Sequence, residues 1–333
     1  MSTTVPVDLR ERMEVLFWQE TTSYKVDDYL SAFRNTRQGE ANVVGATTNG
    51  QNESSSTTTT TNMTSPPSFF GIGDEVTSPG DQQIKEHWRE IICEWAYNLV
   101  DHFDLPRERV SVFTNILDRY LQKYLVEHPE GITKKHFQLL SLTCLYLTIK
   151  LDCHQGFLSM EMMIHLSREK FSKYQMSAME KEILRCLEWK LHPPTPSIFL
   201  RHFLLLLQPQ HRVHRDVIES ARFYMELAAL DYQSVTQRPS RIALAALLNA
   251  MEQDRAVSTL SGCAAEIRDG HFHFLFSLID PTERETVNQC RCRLMELFHG
   301  LAADDDDMDV LDGAHGAGRM ASPVSVAHGH PLA

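Results

Sequence analysis

The absences in this chain narrow its reading before any motif does. No apolar run approaches the roughly twenty residues needed to cross a bilayer. The opening "MSTTVPVDLRERMEVLFW" lacks a basic-then-apolar layout, so no secretory signal is expected. Basic charge is short: 32 Lys and Arg against 44 Asp and Glu leave a net charge of −12, which argues against a broad nucleic-acid surface. Cysteine is sparse, seven residues at irregular spacing (93, 144, 153, 186, 263, 290 and 292). Most lie in apolar helical text and read as reduced, buried small hydrophobes, which implies cytosol or nucleus. There is no Gly-rich phosphate loop, nucleophile elbow or His-Glu-x-x-His. The histidines of "HFHF" (271–274) and the Cys153–His154 pair have no further ligand at metal spacing. Neither an enzyme, nor a cofactor, nor a metal is expected.

What remains is helix. Apolar residues recur at three- and four-residue steps in 84–103, 108–126, 134–151, 175–189, 196–207, 214–232, 239–252 and 284–301. No run has the two-residue alternation of a half-buried strand. Pro106, "HPPTP" (192–196) and "RPS" (238–240) sit where helices open or close. The expected architecture is all-α: two tandem bundles of about five helices, 81–194 and 195–301. Residues 1–35 carry one or two amphipathic helices with Leu16, Phe17, Trp18, Tyr24, Tyr29 and Leu30. The Ser/Thr-rich stretch 36–80 and the acidic end 302–333 read as disordered. These tracts hold three Ser-Pro pairs, at Ser65, Ser78 and Ser322, which are phosphorylation candidates.

Within "LLSLTCLYLTIKLD" (139–152) a single Lys150 stands in a helix apolar on nearly every face. Burying an ammonium costs several kcal/mol unless it is paired. Lys150 therefore either snorkels to the surface or meets a carboxylate. A second short signal, "LRCLE" (184–188), has the Leu-x-Cys-x-Glu spacing of retinoblastoma-pocket ligands. It lies inside a strong helical period, and reads as coincidence.

Four separated stretches resemble the cyclin box: "WREIICEW" (88–95), "NILDRYL" (115–121), "HFQLLSLTCLYLTIK" (136–150) and "SAMEKEILRCLEWKLHPPTPSIFL" (177–200). The positions most diagnostic of that family find matches in Arg89, Asp118, Leu139, Lys150 and Glu180. The resemblance continues faintly through 214–252, and "YKVDDYLSAF" (24–33) is similar to the helix preceding the box in mitotic A/B-type members.

The resemblance implies a non-catalytic subunit that binds and activates a cyclin-dependent protein kinase in cell-cycle control. Lys150 and Glu180 would form the charged pair of the kinase-binding face, with Leu151, Leu184, Trp189 and Leu191 as its apolar surround. Arg89 and Asp118 would be a structural ion pair. A weaker expectation is a groove for Arg-x-Leu substrates, made of Trp88, Ile91, Ile92, Trp95, Phe137 and Gln138. Two departures touch it: Trp88 replaces the family's Met, and Asn98 replaces an acid that Glu94 or Asp101 would have to supply. Arg-x-x-Leu spacing occurs only inside predicted helices (201–204, 241–244 and 291–294), so no destruction box is expected before the fold. Alternative readings are a cyclin-fold protein of transcription or a nutrient-signalling cyclin. Direct contact with nucleic acid or membrane is not expected.

Overall fold

The computed structural model describes residues 7–43, 86–152, 159–207, 213–257, 270, 273–277 and 281–308. Ser65, Ser78, Ser322, Cys153, Cys263 and most of the two low-complexity tracts lie outside them. No strand occurs among the described residues. The helices in chain order are α1 (Val7–Thr21), α2 (Tyr29–Val43), α3 (Glu86–His102), α4 (Arg109–Glu127), α5 (Lys134–Asp152), α6 (Met160–Leu166), α7 (Lys173–Cys186), α8 (Pro196–Leu206), α9 (Arg215–Leu230), α10 (Pro239–Val257) and α11 (Arg284–Met308). The all-α architecture is as expected. Two ends differ: α2 continues to Val43, into text read as unstructured, and α11 continues to Met308 through the acidic run. The seven-residue α6 is too short for periodicity to reveal it.

The chain divides into two compact units. The first is Val26–Trp189; the second joins Met1–Lys25 to Lys190–Ala333. The N-terminal segment is therefore shared, α1 belonging to the second unit and α2 to the first.

In the first unit α5 is the central helix, packed against α4, α6 and α7. Its length is apolar on every face, and Leu140, Leu142, Cys144, Leu145, Leu147 and Ile149 are all buried. The neighbouring helices start on local signals. Ser159 caps α6, and Ser172 caps α7 in a reciprocal box with Gln175 that satisfies two backbone N–H groups at once. Between α3 and α4, Arg89 binds Asp118 through two parallel bonds of 2.9 Å, Nε to Oδ1 and Nη2 to Oδ2, with both side chains buried. Tyr29 of α2 donates its hydroxyl to the same Oδ1 at 2.9 Å. A buried carboxylate needs this many donors to offset its lost hydration. The three groups lock α2, α3 and α4 together.

In the second unit α10 packs against α8, α9 and α11 through a run of small and aliphatic residues from Ala243 to Leu248. Thr195 caps α8, whose first residue is Pro196. Helix α1 lies on α8, with Phe17 against Phe199 at 5.4 Å between ring centroids and Met13 buried. Buried Glu20 accepts from the Ser240 backbone N–H (2.9 Å) and hydroxyl (2.6 Å) at the start of α10. The described cysteines are all free, and burial pushes the Cys93 and Cys290 thiols up to about 12, so they stay protonated packing groups.

Asp118→Asn should lower the unfolding free energy of the first unit by about 3–5 kcal/mol, because a buried guanidinium loses its counter-charge. Tyr29→Phe should cost only about 1–2 kcal/mol, one hydrogen bond to a charged acceptor. Urea unfolding followed by circular dichroism checks both.

Candidate docking face

The last turn of α5 and the middle of α7 meet at a charged pair. Lys150 Nζ donates to Glu180 Oε1 at 2.6 Å. The lysine side chain is 50% exposed and the glutamate side chain 13%. Both sequence options for Lys150 are thus realised together: the stem rises to the surface, and the head finds a carboxylate there. Tyr146, one turn earlier on α5, places its ring 5.4 Å below the ammonium. The hydrogen bond Lys150 donates to Glu180 outweighs partial burial and holds the Lys150 pKa above its ordinary 10.5. A raised lysine favours the folded state below 10.5, and that contribution is lost only as pH climbs through the higher folded value. Lys150 therefore carries its charge at neutral pH.

The apolar residues expected beside it differ in exposure. Leu151 is 41% exposed and Trp189 72%, while Leu184 is half-buried. Leu191 is buried at 3% and falls in the second unit, so it offers no free surface beside the pair. Trp189 sits in a sharp turn. Helix α7 stops at Cys186, and Glu188 (φ 53°) and Trp189 (φ 62°) take left-handed conformations that side chains disfavour by about 1–3 kcal/mol each. The amides of Leu187, Glu188 and Trp189 bond the carbonyls of Ile183, Arg185 and Leu184, closing the helix end. "LRCLE" is thus helix followed by this turn, not the extended strand a pocket ligand needs. The same device ends α6, where Arg168 (φ 55°) and Glu169 (φ 57°) are the left-handed pair.

The six groove residues are placed differently. Trp88, Ile92, Trp95, Phe137 and Gln138 are buried, and Ile91 alone is half-exposed. The Trp88 ring packs on Phe137 at 5.7 Å between centroids, so these two side chains bury each other. Asp101, one candidate for the missing acid, is engaged by Arg107, whose guanidinium also lies 4.6 Å from the Tyr97 ring centroid. Sequence reasoning did not single out Tyr146, nor the exposed Tyr174 and Met162 on α7 and α6. Periodicity marks apolar positions as core, and these three carry no contrary signal. Among the described residues no group of His, Cys, Asp or Glu forms a metal site.

The family model "Cyclin, N-terminal domain" matches residues 64–192, and "Cyclin, C-terminal domain" matches 194–300. The chain belongs to the cyclin family. Its two units are tandem cyclin-box domains. Among curated relatives, Cyclin-B2-1 of Oryza sativa subsp. japonica is 31% identical over 177 residues, 53% of this chain and 39% of that protein. Cyclin-B2-2 of Arabidopsis thaliana is 27% identical over 232 residues, 70% of this chain and 48% of that one. G2/mitotic-specific cyclin-2 of Medicago sativa is 27% identical over 172 residues, 51% of this chain and 49% of that one. The chain thus spans less than half the length of these relatives. At such identities it is a divergent cyclin.

A Lys150→Met/Glu180→Gln double variant should change the unfolding free energy by no more than about 1 kcal/mol, because the ammonium is half in water and both charges are removed together. Thermal or urea unfolding measures this, and the outcome shows whether the pair is there for the fold or for a partner.

Proposed function

We propose that this cyclin is a regulatory subunit that binds a cyclin-dependent protein kinase and switches it on in cell-cycle control, doing no chemistry itself. The observation that carries this reading is the Lys150–Glu180 pair, formed at 2.6 Å at the surface of a unit that also exposes Leu151 and Trp189. A lysine already held by a carboxylate loses little further hydration when a partner docks, and its remaining N–H groups can donate to backbone carbonyls. A projecting Trp is the residue type that most often anchors an interface. B-type and mitotic relatives support the cell-cycle assignment over a transcriptional one, as does the acidic charge.

Activation follows from differential affinity. A rigid helical face that fits only the active arrangement of the kinase shifts its population towards that arrangement. Moving the ratio from 1:99 to 99:1 takes about 5.5 kcal/mol, within reach of a large apolar interface. The reading does not extend to an Arg-x-Leu groove, since five of the six side chains that would line it are core.

A panel of purified cyclin-dependent kinases tests the proposal, with full-length chain immobilised and histone H1 phosphorylation as readout. Wild type should bind and stimulate at least one kinase. Lys150→Met/Glu180→Gln should weaken binding by about ten-fold or more, and Trp189→Ala by about thirty-fold, the size of an interface hot spot. A wild type that neither binds nor stimulates any of them refutes it, as do variants that bind like wild type.

A further inference from the structure

The turn that carries Trp189 is contacted by one residue of a different helix. Four carbonyls end α7. Those of Ile183, Leu184 and Arg185 accept from the amides of the turn, which leaves Cys186. Lys123 of α4 donates to it, Nζ to Cys186 O at 2.7 Å, and its ammonium also lies 3.9 Å from Glu188 Oε1. One turn earlier on both helices, the Tyr120 hydroxyl donates to Glu182. The two contacts clamp the end of α7 onto α4 immediately before the chain enters two consecutive left-handed residues. Neither Glu188 nor Trp189 is a glycine, so the backbone has no intrinsic preference for this turn, and it persists only where surrounding bonds over-determine it. A cation at a helix C-terminus also meets the negative end of the helix dipole.

We infer that Lys123 is a positioning residue for partner docking: by holding the Cys186 carbonyl it fixes the left-handed Glu188–Trp189 turn and with it the aim of the exposed indole. This rests on the reading of the surrounding face as kinase-binding, and adds a residue that need not touch the kinase. Of the two Lys123 contacts, the carbonyl bond is the effective one. The Glu188 pair is long, with both side chains about half exposed or more, and such pairs contribute little.

The test uses the full chain and separates the turn from the docking. In the free protein, Lys123→Met should speed hydrogen exchange of the Glu188 and Trp189 amides about ten-fold, the loss expected of one charge-assisted bond. Lys123→Arg, which retains a cationic donor, should restore protection, and Glu188→Gln should leave it unchanged. Against a purified cyclin-dependent kinase that wild type binds, Lys123→Met should weaken affinity about five-fold. Added to Trp189→Ala, it should have no further effect, because it acts through the indole. Unchanged exchange in Lys123→Met overturns the positioning role. Faster exchange with wild-type affinity overturns the link to docking, as does an equal loss of affinity in the Trp189→Ala background. A wild-type chain that binds no kinase overturns the docking reading, while the exchange result still decides whether Lys123 holds the turn.

Discussion

The buried carboxylate of Asp118 is the constraint on which the first unit rests. It takes three donors, two from Arg89 and one from Tyr29, and each comes from a helix that must be in place for the bond to form. A charge removed from water without this complement would be strongly destabilising. The need to satisfy it fixes α4 relative to α2 and α3. Helix α4 then holds the far side as well, through Tyr120 to Glu182 and Lys123 to Cys186. One helix therefore connects the interior ion pair to the end of α7, beside the proposed docking residues. Residues 118, 120 and 123 lie within two turns of one another, so the connection is short and stiff.

Helix positions were legible because burial imposes a period on the text, and that period does not depend on which neighbour is buried against. The sites of Arg89, Asp118, Lys150 and Glu180 were legible only through family resemblance. Nothing in their spacing says that a lysine on one helix meets a glutamate thirty residues on, and the distances of 2.6 to 2.9 Å come from packing. The burial of five of the six groove residues was not legible for a related reason. An apolar residue that lines a groove and one that fills a core produce the same helical pattern, and only the packed structure, with Trp88 against Phe137, tells them apart. The left-handed turn at Glu188 and Trp189 was invisible, since such turns are announced by glycine and none is present.

The N-terminal segment shows where local reading ends. Its amphipathic helices are plain in the sequence, but their allegiance is not. Helix α1 sits with the second unit through Phe17, Met13 and the Glu20–Ser240 contact, 220 residues apart in sequence, while α2 sits with the first through Tyr29. Burial raises the Glu20 pKa against the opposing hydrogen bonds from Ser240, so this contact holds a carboxyl away from its natural solvent. Contacts of such sequence separation leave no periodic trace.

The two helix ends that share a left-handed pair carry unequal burdens. At Arg168–Glu169 the strained backbone holds side chains with no assigned partner, and a glycine would relieve it with nothing lost but charge. At Glu188–Trp189 a glycine at 188 would relieve one residue and keep the indole, whereas a glycine at 189 would remove it. At the first bend both positions can be relaxed freely, whereas at the second only Glu188 can be relaxed without losing the indole. A variant library selected only for thermal tolerance would drift towards glycine at both, and would leave behind a sturdier chain with no grip.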